Sequence, residues 1–387
     1  LNLQINGIMD FNLTEEQKMI QAAARDFAQT ELLPGVVERD ELAKFPTEQV
    51  KKMAELGFLG MMVDPKYGGS GMDTVSYVLV MTEIAKVDAS AAVIMSVNNS
   101  LVCAGLEKYC NEAQKQKYLV PLAKGDIIGA FCLSEPNAGS DATSQKTTAI
   151  DKGDYYLLNG TKNWITNGSS ASTYIVMAQT HPEKGHKGIN AFIVEKGWNG
   201  FEIGPKEKKM GIRGSDTHSL LFNDVKVPKE NRIGEDGFGF HFAMAVLNGG
   251  RIGIASQALG IATGAYELAL KYSHVRQSFG KEIFQHQAIA FKLADMATQI
   301  MAAKMLCLKA ASEKDAGMDI TQSGAMAKLF ASQTAMDVTV EAVQIHGGNG
   351  YVSEYHVERM MRDAKITQIY EGTSEIQKIV ISRSLTV

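Results

Sequence analysis

Cysteine is scarce in this chain of 387 residues: there are four, Cys103, Cys110, Cys132 and Cys307, and no Cys-x-x-Cys pair among them. Scattered thiols exclude a disulfide framework and read as reduced residues of an intracellular protein. The eight histidines show no His-Glu-x-x-His or comparable ligand spacing, so no metal site is expected. Charge of one sign is lacking too. A formal net charge of -4 gives no reason to expect nucleic acid or a membrane as partner, although local basic residues could bind a phosphorylated ligand. No apolar run reads as long enough to span a bilayer, and Leu1 to Ile8 lacks the charged and apolar regions of a signal peptide. Met9-Asp10-Phe11 reads as the natural start, with the eight residues before it a remnant. The expected location is cytoplasmic, or the mitochondrial matrix where a transit peptide has been removed.

With 45% hydrophobic and 21% charged residues, the chain has an ordinary globular composition, and its length suits two or three domains. The pattern changes twice along it. Thr14-Glu15-Glu16-Gln17 has capping-box spacing, and Ile20, Ala23, Ala24 and Phe27 follow at helical intervals until Pro34-Gly35. A second helix is expected from about Thr47 to Leu56, stopping at Gly57, with further helical patterns over Val75–Lys86 and Ser90–Tyr109. Near Phe131 the character becomes that of short strands: 155–160, 174–177, 191–194 and 219–222, separated by Gly, Asn and Asp. From about Phe240 the chain is helical again, in long segments such as Ala288–Lys314 and Ala325–Ile345. Two helical blocks flanking a β block predict an α+β fold, divided as 9–130, 131–239 and 240–387.

Five stretches carry chemistry. Tyr370-Glu371-Gly372-Thr373-Ser374 sets one carboxylate between an aromatic ring and a glycine, before a helix that Thr373 or Ser374 would cap. Apolar neighbours there would disfavour the charged form, as a base working near neutral pH requires. Leu133-Ser134-Glu135-Pro136 through Gly139-Ser140-Asp141 is a small-residue turn whose N–H groups and hydroxyls suit an anion. Trp164 and Thr166 would share one face of a strand, presenting an indole and a hydroxyl to a flat heteroaromatic cofactor or to a core. Arg276-Gln277-Ser278-Phe279-Gly280 ends a helical segment with a guanidinium able to grip a pyrophosphate. Gln344-Ile345-His346-Gly347-Gly348-Asn349-Gly350 is a close-approach backbone region that is no Rossmann fingerprint, and His346 reads as structural.

In order and spacing these stretches, with Met361-Arg362-Asp363-Ala364-Lys365, resemble the acyl-CoA dehydrogenases from Met9 to the end. The resemblance implies an N-terminal helical domain, a central β-barrel-like domain and a C-terminal helical bundle. It implies FAD as cofactor and introduction of a trans double bond at C2–C3 of an acyl-CoA. Glu371 matches the base that removes the α-proton while the β-hydrogen leaves as hydride to flavin N5. The backbone N–H at the Glu371 position and a ribityl hydroxyl would bind the thioester carbonyl. Phe131, Leu133, Ser134, Gly139, Ser140, Trp164, Thr166 and Thr373 match FAD contacts. Arg276, Phe279, Gln287, Gln344 and Gly348 match residues that reach FAD across a subunit interface, implying a homo-oligomer, most often a tetramer. Asn248 and Arg251 lie where the family grips CoA, and Ser140, Tyr370 and Gly372 join them on the substrate side.

Some members carry their base immediately before the arginine matched by Arg251; here that position is Gly250, so Glu371 is the only base in a family-consistent place. Asn248 departs from the aspartate common there. The whole pattern is most similar to short-chain enzymes acting on butyryl-CoA or 2-methyl-branched acyl groups, with Val93–Leu106 as one expected pocket wall and an electron-transferring flavoprotein as partner. The same residues would serve an enoyl-CoA reductase in an anaerobe. A silent FAD- or CoA-binding protein is the reading of another class, and the intact Glu371 argues against it.

Overall fold

Thr14 starts the first helix by the reciprocal bonds its spacing predicts. Its hydroxyl accepts from the Gln17 N–H at 3.1 Å, and Gln17 Oε1 accepts from the Thr14 N–H at 3.1 Å. The computed structural model describes residues 12–385, so the expected start at Met9 lies outside the described residues. Helices α1 (Glu15–Phe27), α2 (Thr47–Glu55) and α3 (Thr74–Ala85) lead to α4, a continuous helical run over Ala89–Tyr109 that widens to π geometry across Val97–Cys103. By length and composition α4 could cross a membrane, with 21 residues and mean hydropathy 1.5, contrary to the sequence expectation. Yet 94% of its apolar window is buried inside the fold, which is how a helix apolar on every side behaves at the centre of a core.

After α4 the chain turns to strand. Strands β1 (Gly129–Cys132), β2 (Thr148–Asp151), β3 (Tyr155–Thr166), β4 (Thr173–Gln179), β5 (Ile189–Glu195), β6 (Phe201–Lys206), β7 (Thr217–Pro228) and β8 (Arg232–Ile233) form one sheet. Its order is β6-β7-β3-β2-β4-β5-β8, with β1 parallel to β4. The four strand-like runs of the sequence fall in β3, β4, β5 and β7; the others are short or carry charged and glycine residues that blur the alternation. In β3 the pairing to β7 shifts register between Lys162 and Ile165, and Trp164 takes a positive φ of 60°. This irregularity turns the indole outward, 61% exposed, while Ile165 stays in the core.

The C-terminal block is built on α5 (Gly239–Val275), whose 37 residues are largely buried. Where the sequence shows only the end of a helix, the chain forms a hairpin of β9 (Gln277–Ser278) and β10 (Lys281–Glu282). Phe279 and Gly280 hold its turn with φ of 53° and 79°, the positive pair of a two-residue type I′ loop. Helices α6 (Gln287–Asp315), α7 (Thr321–His346), α8 (Val357–Ile366) and α9 (Ser374–Arg383) complete the bundle. The three blocks meet at α8. Its Arg362 bonds Asp40 at 2.7 Å and the Met210 carbonyl at 3.1 Å, and its Asp363 accepts from the Ile212 N–H. The fold is α+β, with helical, β and helical parts in the expected order.

Candidate active site

The link between α8 and α9 carries the carboxylate singled out in the sequence. Glu371 and Gly372 both take left-handed conformations, with φ of 52° and 91°. For a glutamate that region is sparsely populated and survives only when the surroundings enforce it. Four groups do so. Gln377, wholly buried, donates from Nε2 to the carbonyls of Glu371 at 3.2 Å and Gly372 at 2.9 Å. Lys328 of α7, also wholly buried, donates to the Gly372 carbonyl at 2.6 Å. Thr373 caps α9, its hydroxyl accepting from the Ile376 N–H at 3.3 Å. The Tyr370 hydroxyl donates to Gln257 Oε1 on α5, and Gln257 in turn donates to the Ala89 carbonyl at 2.8 Å. The Glu371 N–H has no acceptor among the described residues.

So held, the carboxylate points at α5. A Cβ at Gly250 would lie 2.2 Å from Glu371 Oε2 and 2.7 Å from Leu101 Cδ2, so a larger residue there would have to displace both side chains, and glycine leaves the carboxylate where it is. Oε2 is covered and has no hydrogen-bond partner among the described residues. Burial lifts this carboxyl from its ordinary value to about 7, with Lys328 and Arg251 pulling the other way. Arg251, 7% exposed, donates to Asn248 Oδ1 at 2.8 Å, and Asn248 donates to the Thr321 hydroxyl at 3.2 Å. Within the expected wall, Leu101 lies over Gly250 and Ser96 over Gly253; Tyr77 of α3, outside that wall, also lies over Gly253, its hydroxyl joined to that of Ser96 at 3.1 Å.

A second cluster forms on the sheet. The Asn163 N–H donates to the Ser134 carbonyl at 2.8 Å, bringing the Leu133–Asp141 loop beside Trp164 and Thr166. Lys162, wholly buried, fastens that loop through the Leu133 carbonyl at 3.0 Å, Glu135 at 2.7 Å and Gln145 at 3.0 Å. Glu135 also accepts from the Lys146 and Thr147 N–H groups at 2.6 and 3.0 Å. Phe131, Leu133, Ser134 and Thr166 are half-buried; Gly139 and Ser140 are exposed, with open space where a Cβ on Gly139 would lie. An outward indole beside free hydroxyls and an open glycine loop fits a flat, phosphate-bearing cofactor such as FAD.

Arg276, Phe279, Gln287, Gln344 and Gly348 are exposed; near the last two in sequence, Asn349 donates to the Tyr272 hydroxyl of α5 at 3.0 Å, and Tyr272 stacks on His346 at 4.3 Å. The ends of α5 and α7 are thereby joined, and Phe279 stands 95% exposed at the hairpin tip. His346 is buried, bonded to the Ala342 carbonyl at 2.8 Å, in keeping with a structural part. Sequence reasoning missed Lys162, Gln257, Lys328 and Gln377. The signal for the lysines is a lone cation inside an otherwise apolar pattern, as in Ala325-Met326-Ala327-Lys328-Leu329-Phe330.

Comparison with known proteins bears on both clusters. Family models for the acyl-CoA dehydrogenase N-terminal, middle and C-terminal domains match residues 14–126, 130–225 and 237–386. A short-chain-specific acyl-CoA dehydrogenase of Clostridium acetobutylicum is 52% identical over 374 residues, 97% of this chain and 99% of that protein. The caffeyl-CoA reductase-Etf complex subunit CarC of Acetobacterium woodii is 47% identical over 373 residues, covering 96% of this chain and 98% of its own. The solved structure of butyryl-CoA dehydrogenase from Megasphaera elsdenii superposes with a TM-score of 0.97 at 51% identity, over 98% of this chain and 100% of that one. Three domain models in sequence, and relatives matched nearly end to end at about half identity, leave one conclusion: the chain belongs to the acyl-CoA dehydrogenase family of flavin-dependent oxidoreductases.

Proposed function

We propose that this protein oxidises a short-chain acyl-CoA, straight or 2-methyl-branched, to the trans-2-enoyl-CoA, with Glu371 as the base. The observation that carries the reading is the Glu371 carboxylate: covered, unpartnered at Oε2, raised to about 7 and held in a strained turn against Gly250. A carboxylate kept basic in this way can accept a carbon-bound proton near neutral pH. The unpaired Glu371 N–H supplies a donor for the thioester oxygen, where negative charge grows as the proton leaves. Buried Arg251 on α5 and Lys328 on α7 favour the ionised form of Glu371, the form that accepts the proton.

Phe131, Leu133, Ser134, Gly139, Ser140, Trp164, Thr166 and Thr373 would hold FAD, with Arg276, Phe279, Gln287, Gln344 and Gly348 reaching it from a second copy of the chain in a homotetramer. Bound there, FAD supplies the acceptor for the β-hydride. Asn248, Arg251, Ser140, Tyr370 and Gly372 would contact the acyl-CoA. The short-chain reading is supported by the closeness of Leu101, Ser96 and Tyr77 to α5 just beyond Glu371, and by the short-chain relatives. Electrons would pass to an electron-transferring flavoprotein. Enoyl-CoA reduction at the same site is a second reading, favoured by the similarity to a reductase-Etf complex subunit.

Anaerobic mixing with butyryl-, 2-methylbutyryl- and octanoyl-CoA, followed by flavin absorbance, tests the reaction. Bleaching fastest with the two short substrates is expected; no bleaching with any of them would sink the dehydrogenase reading. Glu371→Gln should keep FAD and ligand binding while lowering turnover by about 10²–10⁴, the usual share of a general base. Near-normal turnover in that variant would remove Glu371 from the mechanism.

A further inference from the structure

Lys328 is a buried cation whose role no motif assigns. It sits on α7 with no exposed surface, and its one hydrogen bond is to a carbonyl, Gly372 O at 2.6 Å. An ammonium placed there has given up water for a single neutral acceptor, an arrangement that needs a compensating negative charge nearby. Glu371, one residue before that carbonyl, provides it, as the mutual attraction of the two groups indicates. Burial, partly offset by Glu371, brings the Lys328 ammonium down to about 8.

We infer that Lys328 is a positioning residue for the reaction at Glu371: it clamps the left-handed turn that aims the carboxylate and sets a positive charge beside that turn. The inference rests on Glu371 being the base, as proposed above. The groups around Glu371 are few. Arg251 faces it from α5, Lys328 from α7, and the Tyr77 hydroxyl from α3, with Tyr370 beside it in the chain and Glu375 of α9 acting on Lys328. Burial holds both tyrosines neutral, well above their ordinary range. Arg251 has Asn248 as its bonded neighbour, and Glu375 is the one further carboxylate that acts on Lys328, behind Glu371 in strength. The clamp on the Gly372 carbonyl is double, because Gln377 grips it too; removing Lys328 leaves one hold on that carbonyl and takes away the charge.

The sign follows directly. Lys328 lowers the Glu371 pKa, so without it the carboxyl ionises at higher pH and the acidic limb of kcat/KM moves up. The FAD-loaded enzyme and its Lys328→Met, Lys328→Gln and Lys328→Arg variants would be compared from pH 5.5 to 9.5 with butyryl-CoA. The Met and Gln variants should shift the limb upward by about one unit, the lower end of the effect of a neighbouring opposite charge. Their rate at pH 7 should then fall about fivefold, with most of the loss recovered near pH 9. Arg keeps the charge and should hold the limb near the wild-type position. A merely structural lysine would lower the rate at every pH and leave the limb in place, which would overturn the inference. Should the Met variant fail to retain FAD, the Gln and Arg pair decides the same question. Glu371→Gln runs alongside: if it stays active the base assignment falls, whereas an inactive Glu371→Gln with unshifted Lys328 variants removes Lys328 alone.

Discussion

A glutamate with positive φ, a glycine whose Cβ would press on that glutamate's carboxylate and a lysine without solvent together make the candidate reactive corner of this protein. Each is costly where it stands, and each cost is offset by a named neighbour. Gln377 and Lys328 hold the turn, Gly250 leaves room for the carboxylate, and Glu371 answers the buried ammonium. Gly250→Ala tests the fit. A methyl 2.2 Å from Oε2 must displace the carboxylate, and a misplacement of about 1 Å can cost about a hundredfold in rate. The expected result is that loss in kcat with flavin content unchanged, read by turnover and by the visible spectrum. In the sequence, Tyr370-Glu371-Gly372 was legible as a candidate base beside a helix cap, and the cap at Thr373 is present. Gly250 was legible only as the absence of a second glutamate, because a close approach between residues so far apart leaves no local mark.

At the scale of elements, β3 and the loop it carries show how a buried ion pair can shape a binding surface. Lys162 and Glu135 are 0% and 6% exposed, and between them they fix the Leu133 carbonyl and the N–H groups of Lys146 and Thr147. The loop over Ser134–Ser140 therefore keeps one shape beside the register shift that turns Trp164 outward. Lys162→Met would strand Glu135 without its cation, a change worth about 3–5 kcal/mol when one partner of a buried pair is removed. Expected outcomes are a clear drop in thermal midpoint and weaker flavin retention, measured by calorimetry and by absorbance after gel filtration. Helix and strand periodicity placed most of these elements correctly, including the capping box at Thr14. It did not foresee the register shift, the hairpin at 277–282 or strands β1, β2, β6 and β8, where short length and mixed polarity hide the pattern.

At the scale of the whole molecule, the most exposed large hydrophobic side chain among the described residues is Phe279, at the end of the C-terminal block that also carries Arg276, Gln287, Gln344 and Gly348. A phenylalanine 95% exposed at a hairpin tip with positive φ is an unfavourable placement in an isolated chain, and contact with a second copy would relieve it. Phe279→Asp should lower the assembly state in sedimentation. Arg276→Ala should weaken flavin retention by about tenfold, the scale of one lost charge-assisted contact; unchanged flavin content would take Arg276 off the cofactor surface. The sequence by itself determined the α+β order and the helix caps and singled out the candidate carboxylate, because these depend on neighbours within a turn or a strand. Only the tertiary structure decided that Lys328 and Gln377 grip the Glu371 turn, that Gly250 makes its space and that the apolar run over 89–109 is core. Those outcomes depend on which distant surfaces meet, and burial, pKa and steric clearance are properties of the meeting and of no single segment.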